Sequence, residues 1–153
     1  MLSLFDFGQL SVDRLLDEWR WLCPQPVSLI ARDAFGNLFL RGHSGKIFKL
    51  NVSVGQLMEV AASEEDFRAQ AATREKRQEW FAEDDELAAA QGGLVPDSLQ
   101  CIAFKIPLMF AESGRANNAY VADLYEQVSF LGDLNRQVAQ LPDGTKIRFA
   151  AKD

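Results

Sequence analysis

What this chain has little of bounds it before anything else does. Its 153 residues include one histidine, His43, and two cysteines, Cys23 and Cys101, far apart in sequence. A zinc site needs clustered His and Cys ligands, and a disulfide scaffold needs more than one possible bridge, so neither is expected. Both thiols are expected to be reduced and to lean into the core, as free cysteines commonly do. Basic residues are in the minority, with 16 Lys and Arg against 22 Asp and Glu and a formal net charge of -6. The densest basic group, Arg74, Lys76 and Arg77, is interrupted by Glu75 and followed by Glu79. Duplex binding draws on clustered cations that neutralise phosphates, so a nucleic-acid ligand is disfavoured.

Long apolar runs are missing as well. The opening MLSLFDFGQLSVDRL has no basic leader, carries Asp6 early and never reaches membrane-spanning length. Neither a signal peptide nor a membrane span is expected, and the expected compartment is the cytoplasm. Glycine signatures fail too. Gly42-His43-Ser44-Gly45-Lys46 lacks the spacing of a phosphate loop and has Ile47 where a magnesium-binding hydroxyl would stand. No dinucleotide fingerprint and no Gly-x-Ser-x-Gly elbow occur, and His43 reads as part of a hairpin turn. No catalytic residue, metal or cofactor is expected.

What is present reads as one α+β domain over residues 1–153, a mainly antiparallel sheet packed by helices. Residues 1–22 hold a first helix, capped by Ser11 or Asp13, with Leu15, Leu16, Trp19 and Leu22 on one face and Pro24 and Pro26 beyond its end. Residues 27–52 read as a three-stranded meander with turns at Phe35-Gly36-Asn37 and Gly42–Gly45. Residues 54–92 read as helical throughout. Ser53 and Gln56 suggest a capping box before Val54, Leu57, Met58 and Ala61. Ser63 caps a charged helix reaching Trp80 and Phe81, and Glu83 to Gln91 continues separately to a Gly92-Gly93 stop. Residues 100–149 read as strand, helix and strand. The strand runs from Cys101 to Ile106, with Ala119 to Val121 a short strand or a lead-in. Asp123 and Glu126 cap a helix with Leu124, Val128, Leu131, Leu134, Val138 and Leu141 as its seam, and residues 145–149 form the last strand. Gly132 in mid-helix costs about 1 kcal/mol relative to Ala, which implies close packing there.

Two acidic groups and one aromatic residue are the candidate partner-binding positions. Glu64, Glu65 and Asp66 fall in one helix's first turn, and Glu83, Asp84, Asp85 and Glu86 in another's, where the helix dipole favours anions. Such arrays also steer association with a basic protein. Paired acid catalysis needs carboxyls converging across a cleft, and neighbours at a helix start point apart. Trp19 and Phe81 fall on inward stripes and are expected in the core, whereas Trp21 falls off its stripe and is expected to be partly exposed.

The runs Asp33-Ala34-Phe35-Gly36-Asn37-Leu38-Phe39 and Gly45-Lys46-Ile47-Phe48-Lys49-Leu50, with Gly55, carry a resemblance. So do Cys101–Pro107, Asn118, Phe130–Gln137 and Leu141-Pro142-Asp143-Gly144. From about Trp19 onward the chain resembles the C-terminal domain of type VI secretion immunity proteins that neutralise DNase effectors, and more broadly the SUKH-type immunity group. These motifs are mostly turns and core positions. The resemblance implies a non-enzymatic antitoxin bound to a cognate toxin, a basic nuclease domain. The rival reading is a small-ligand-binding or regulatory domain with a pocket between sheet and helices.

Overall fold

The computed structural model describes residues 9–105 and 118–142. The expected last strand at 145–149 and the expected strand end at Ile106 lie outside them. Among the described residues six strands and five α-helices follow one another as an α+β arrangement. They are α1 (Val12–Leu16) with a 3-10 turn (Asp17–Trp19), β1 (Ser28–Arg32), β2 (Leu38–Arg41), β3 (Ile47–Asn51) and β4 (Gln56–Ala61). Then come α2 (Glu64–Ala71), α3 (Arg74–Phe81), α4 (Glu83–Gln91), β5 (Gln100–Phe104), β6 (Ala119–Asp123) and α5 (Leu124–Ala139).

Among the described residues the strands form two antiparallel sheets, a four-stranded meander β1-β2-β3-β4 and a β5-β6 pair, where the sequence suggests one sheet. Alternation of side chains along a strand gives the meander two apolar faces. Leu38, Leu40 and Leu50 pack with Leu15, Leu16, Trp19, Leu124, Val128 and Leu131, so α1 and α5 cover one face. Phe39, Ala31 and Ile47 pack with Phe67, Ala71, Trp80 and Phe81, so α2 and α3 cover the other. A central strand buried on both sides needs consecutive apolar residues, which explains the fully buried run Leu38-Phe39-Leu40.

The smaller sheet is tied to the meander by polar bonds. Ile102 N donates to Ala34 O at 2.8 Å, and the buried Arg32 guanidinium donates to Ser98 O and Gln100 O at 3.1 and 2.6 Å. Ala34 and Ile102 pack together, with Phe35, Ala89, Leu94 and Ala119 against them.

Four readings of the sequence are corrected. Residues Gln56–Ala61 are strand β4, paired with β3, so 54–92 is not helical throughout. Ser53 does not cap a helix; its N–H donates to Asn51 Oδ1 at 3.1 Å in the turn between β3 and β4. That turn places Gly55 at φ +69, a left-handed conformation suited to glycine, with Asn135 so close that a Cβ would lie 2.7 Å from its Oδ1. The charged helix after Ser63 is broken at Thr73, whose hydroxyl accepts from Lys76 N and starts α3 afresh. The first helix ends early: α-helix gives way at Leu16 to the 3-10 turn through Trp19.

Other expectations hold. Ser11 caps α1, Ser63 caps α2 and Asp123 caps α5, each through its side-chain oxygen. Both cysteines are free and buried. Gly132 packs tightly, since a Cβ there would lie 2.7 Å from Glu18 O and 2.9 Å from Trp19 Nε1. That contact lets the Trp19 indole reach Val128 O at 2.8 Å and lock the 3-10 turn to α5. No helix among the described residues is long and apolar enough to cross a membrane.

Candidate functional site

The most polar buried constellation lies at the β1–β2 turn. Asp33 Oδ1 accepts from Phe35 N and Asn37 N, both at 2.9 Å, and Oδ2 accepts from Asn37 Nδ2 at 2.7 Å. Asn37 Oδ1 in turn accepts from Val52 N at 2.9 Å, and Asn135 Nδ2 donates to Val52 O at 3.0 Å. A chain of amide and carboxylate bonds thus ties the hairpin to the end of β3 and on to α5. Burial pushes the Asp33 carboxyl above its usual range, opposed by the hydrogen bonds from Asn37 and Phe35 and by the Lys49 charge. Its oxygens are occupied in shaping the turn.

One concavity adjoins this framework, and a second lies apart from it against α1 and α5. The first is a cleft of about 550 Å³ whose lining includes Asp33, Lys49, Asn51, Ser53, Phe35 and Phe104. Lys49 Nζ donates to Trp80 O at 3.0 Å, and burial lowers its pKa against the raising influence of Asp33 and Glu79. The second, about 540 Å³, is an open groove between the α1 region and α5. Its lining holds Asp13, Asp17, Glu18 and Glu126, beside Arg14 and Tyr125. Arg14 lies 3.9 Å over the Tyr125 ring, and the Tyr125 hydroxyl accepts from Ser11 N at 2.8 Å. Asp13 pairs with Arg20 at 3.1 Å, whereas Asp17, Glu18 and Glu126 have no ionic partner among the described residues.

The expected partner-binding acids meet a different environment. Glu64 lies within 3.6 Å of both Arg41 and Arg68, Glu83 within 3.3 Å of Arg77, and Asp84 within 3.5 Å of Arg74. Asp66 accepts from Ala62 N and from Gln70 Nε2. Glu65 and Asp85 carry no ion pair among the described residues, and Asp85 lines the cleft. Glu86 is engaged, so the seven acids do not form one uncompensated patch.

Trp21 is 37% exposed and stacks on Trp19 with ring centroids 5.8 Å apart. It therefore belongs with α1 and α5, on the groove's side of the meander, while α2 packs on the opposite face. The structure does not bring Trp21 together with Glu64–Asp66. The groove acids escape a reading of the sequence because Glu126 is remote from Asp17 and Glu18, and only the docking of the 3-10 turn on α5 joins them. Lys49 and Ser53 escape it because the cleft forms where two sheets and a helix corner meet.

Comparison with protein-family models, with curated proteins and with solved structures found no match to this chain.

Proposed function

We propose that this protein is a non-enzymatic immunity protein, an antitoxin that binds a basic toxin domain through the acidic groove and through Trp21 on the same side of the meander. One observation carries the choice of surface. Among the described residues Asp17, Glu18 and Glu126 have no ionic partner, whereas Glu64, Glu83 and Asp84 are compensated by arginines, and the part-exposed Trp21 stacks on Trp19 in the turn that packs on α5. Uncompensated carboxylates steer a basic partner, and a large aromatic side chain slows its escape once docked. The buried carboxylate of Asp33 adds support, because its hydrogen bonds serve the turn and the fold explains it without a reaction. The resemblance to DNase-effector immunity domains supplies the class of partner.

The decisive test is co-expression with a candidate secreted nuclease from the same genome. Growth rescue and a co-purifying complex are expected, and both should weaken when Trp21 is replaced by Ala and the three groove acids by amides. Rescue that survives those changes moves the contact elsewhere. Absence of both rescue and complex removes the antitoxin reading.

A further inference from the structure

The cleft beside Lys49 has the makings of a small-molecule site. Its volume of about 550 Å³ falls inside the range of about 300–1,000 Å³ common for ligand pockets. Lys49 is half-buried, and its ammonium makes a single hydrogen bond among the described residues, to the neutral carbonyl of Trp80. The Phe39 ring lies 5.6 Å away and offers weak compensation. Asp33 and Glu79 attract the ammonium, yet neither hydrogen-bonds it, and the Asp33 oxygens are occupied by the turn. A partly desolvated cation without a hydrogen-bonded counter-ion favours an anion bringing its own acceptor oxygens.

Two more donors share that lining. Asn51 uses Oδ1 to accept from Ser53 N, which leaves its amide N–H groups and the Ser53 hydroxyl available. The apolar part of the lining holds Phe35 and Phe104, whose rings are parallel to within 4° at a centroid separation of 6.4 Å, together with Ile102.

We infer that this cleft binds a small monocarboxylate bearing a flat apolar group, its carboxylate on Lys49, Asn51 and Ser53 and its body against Phe35 and Phe104. A single negative charge fits better than two. The single ammonium offers one anchor point, and Asp33 and Asp85 in the same lining repel a dianion more strongly than a monoanion. The site is separate from the acidic groove, so its failure leaves the antitoxin reading standing and the converse also holds.

Isothermal titration of the full chain with phenylacetate, phenylacetamide, phenethylamine and phenyl phosphate tests the inference. Phenylacetate is expected to bind at least about tenfold more tightly than the other three, the scale of a charge-assisted hydrogen bond. Lys49→Met, which keeps length and removes charge, should erase that preference. Ser53→Ala should weaken phenylacetate by about fivefold, the scale of one neutral hydrogen bond. It leaves the backbone contact to Asn51 in place, so it remains informative should Lys49→Met fail to fold. No phenylacetate binding at millimolar concentration, equal binding of the amide, or tighter binding of phenyl phosphate overturns the inference.

Discussion

Asp33 concentrates the physical tension of this fold in one side chain. A carboxylate with 2% exposure is costly to keep charged, and three hydrogen bonds together with the Lys49 charge are what hold it there. Desolvation wins on balance, so the native pKa stands above the ordinary value of 3.8. The sign of the consequence follows from proton counting. Above 3.8 the unfolded chain has released this proton while the native chain still holds it in part. Stability contributed by the protonated group is therefore present in acid and lost as pH rises from 3.8 through the native pKa. Asp33→Asn cannot titrate, so the stability difference between wild type and variant should drift against the wild type across that window. Urea unfolding at a series of pH values measures it. A drift in the wild type's favour would mean that hydrogen bonding, not burial, governs this group.

Elements carry the lesson about what can be read in advance. Caps at Ser11, Ser63 and Asp123 were legible because one side-chain oxygen and one nearby N–H suffice to define them. The hairpin β1–β2–β3 was legible from alternation and turn residues for the same local reason. Strand β4 was not. Val54, Leu57, Met58 and Ala61 satisfy a helical spacing, and only pairing with β3, a contact between separate segments, decides for strand. Gly55 is the local residue that should have tipped the balance, because a left-handed glycine just after Ser53 ends the turn and cannot open a helix comfortably. Its conformation also gives a prediction. Gly55→Ala places a Cβ at positive φ, at about 1–2 kcal/mol, and drives it against Asn135, whose amide links Val52 to α5. The combined loss should reach about 2–4 kcal/mol, read as a lowered urea midpoint with an unchanged slope. A loss under about 1 kcal/mol would mean that Asn135 moves aside freely.

At the scale of the whole molecule, the meander separates two charged exteriors that a linear reading merges. On the α2–α4 side the acids are interleaved with Arg41, Arg68, Arg74 and Arg77, so their field is largely cancelled at short range. On the α1–α5 side Asp17, Glu18 and Glu126 converge with Arg14 over Tyr125 as the nearest cation in the groove lining. With a net charge of -6 the chain attracts any basic body, but screening over about 8 Å at physiological salt makes the local arrangement decide orientation. Neutralising the groove with Asp17→Asn, Glu18→Gln and Glu126→Gln should slow association with the basic partner by about tenfold at low salt. The dependence of that rate on ionic strength should flatten in parallel. The control is Glu65→Gln with Asp85→Asn, which removes two charges that lie away from the groove and have no ion pair among the described residues, and should change the rate by less than about twofold. Stopped-flow mixing at several salt concentrations separates the two sets. If both slow association alike, attraction depends on total charge, the groove has no special part in docking, and the exposure of Trp21 must be explained by packing on Trp19 alone.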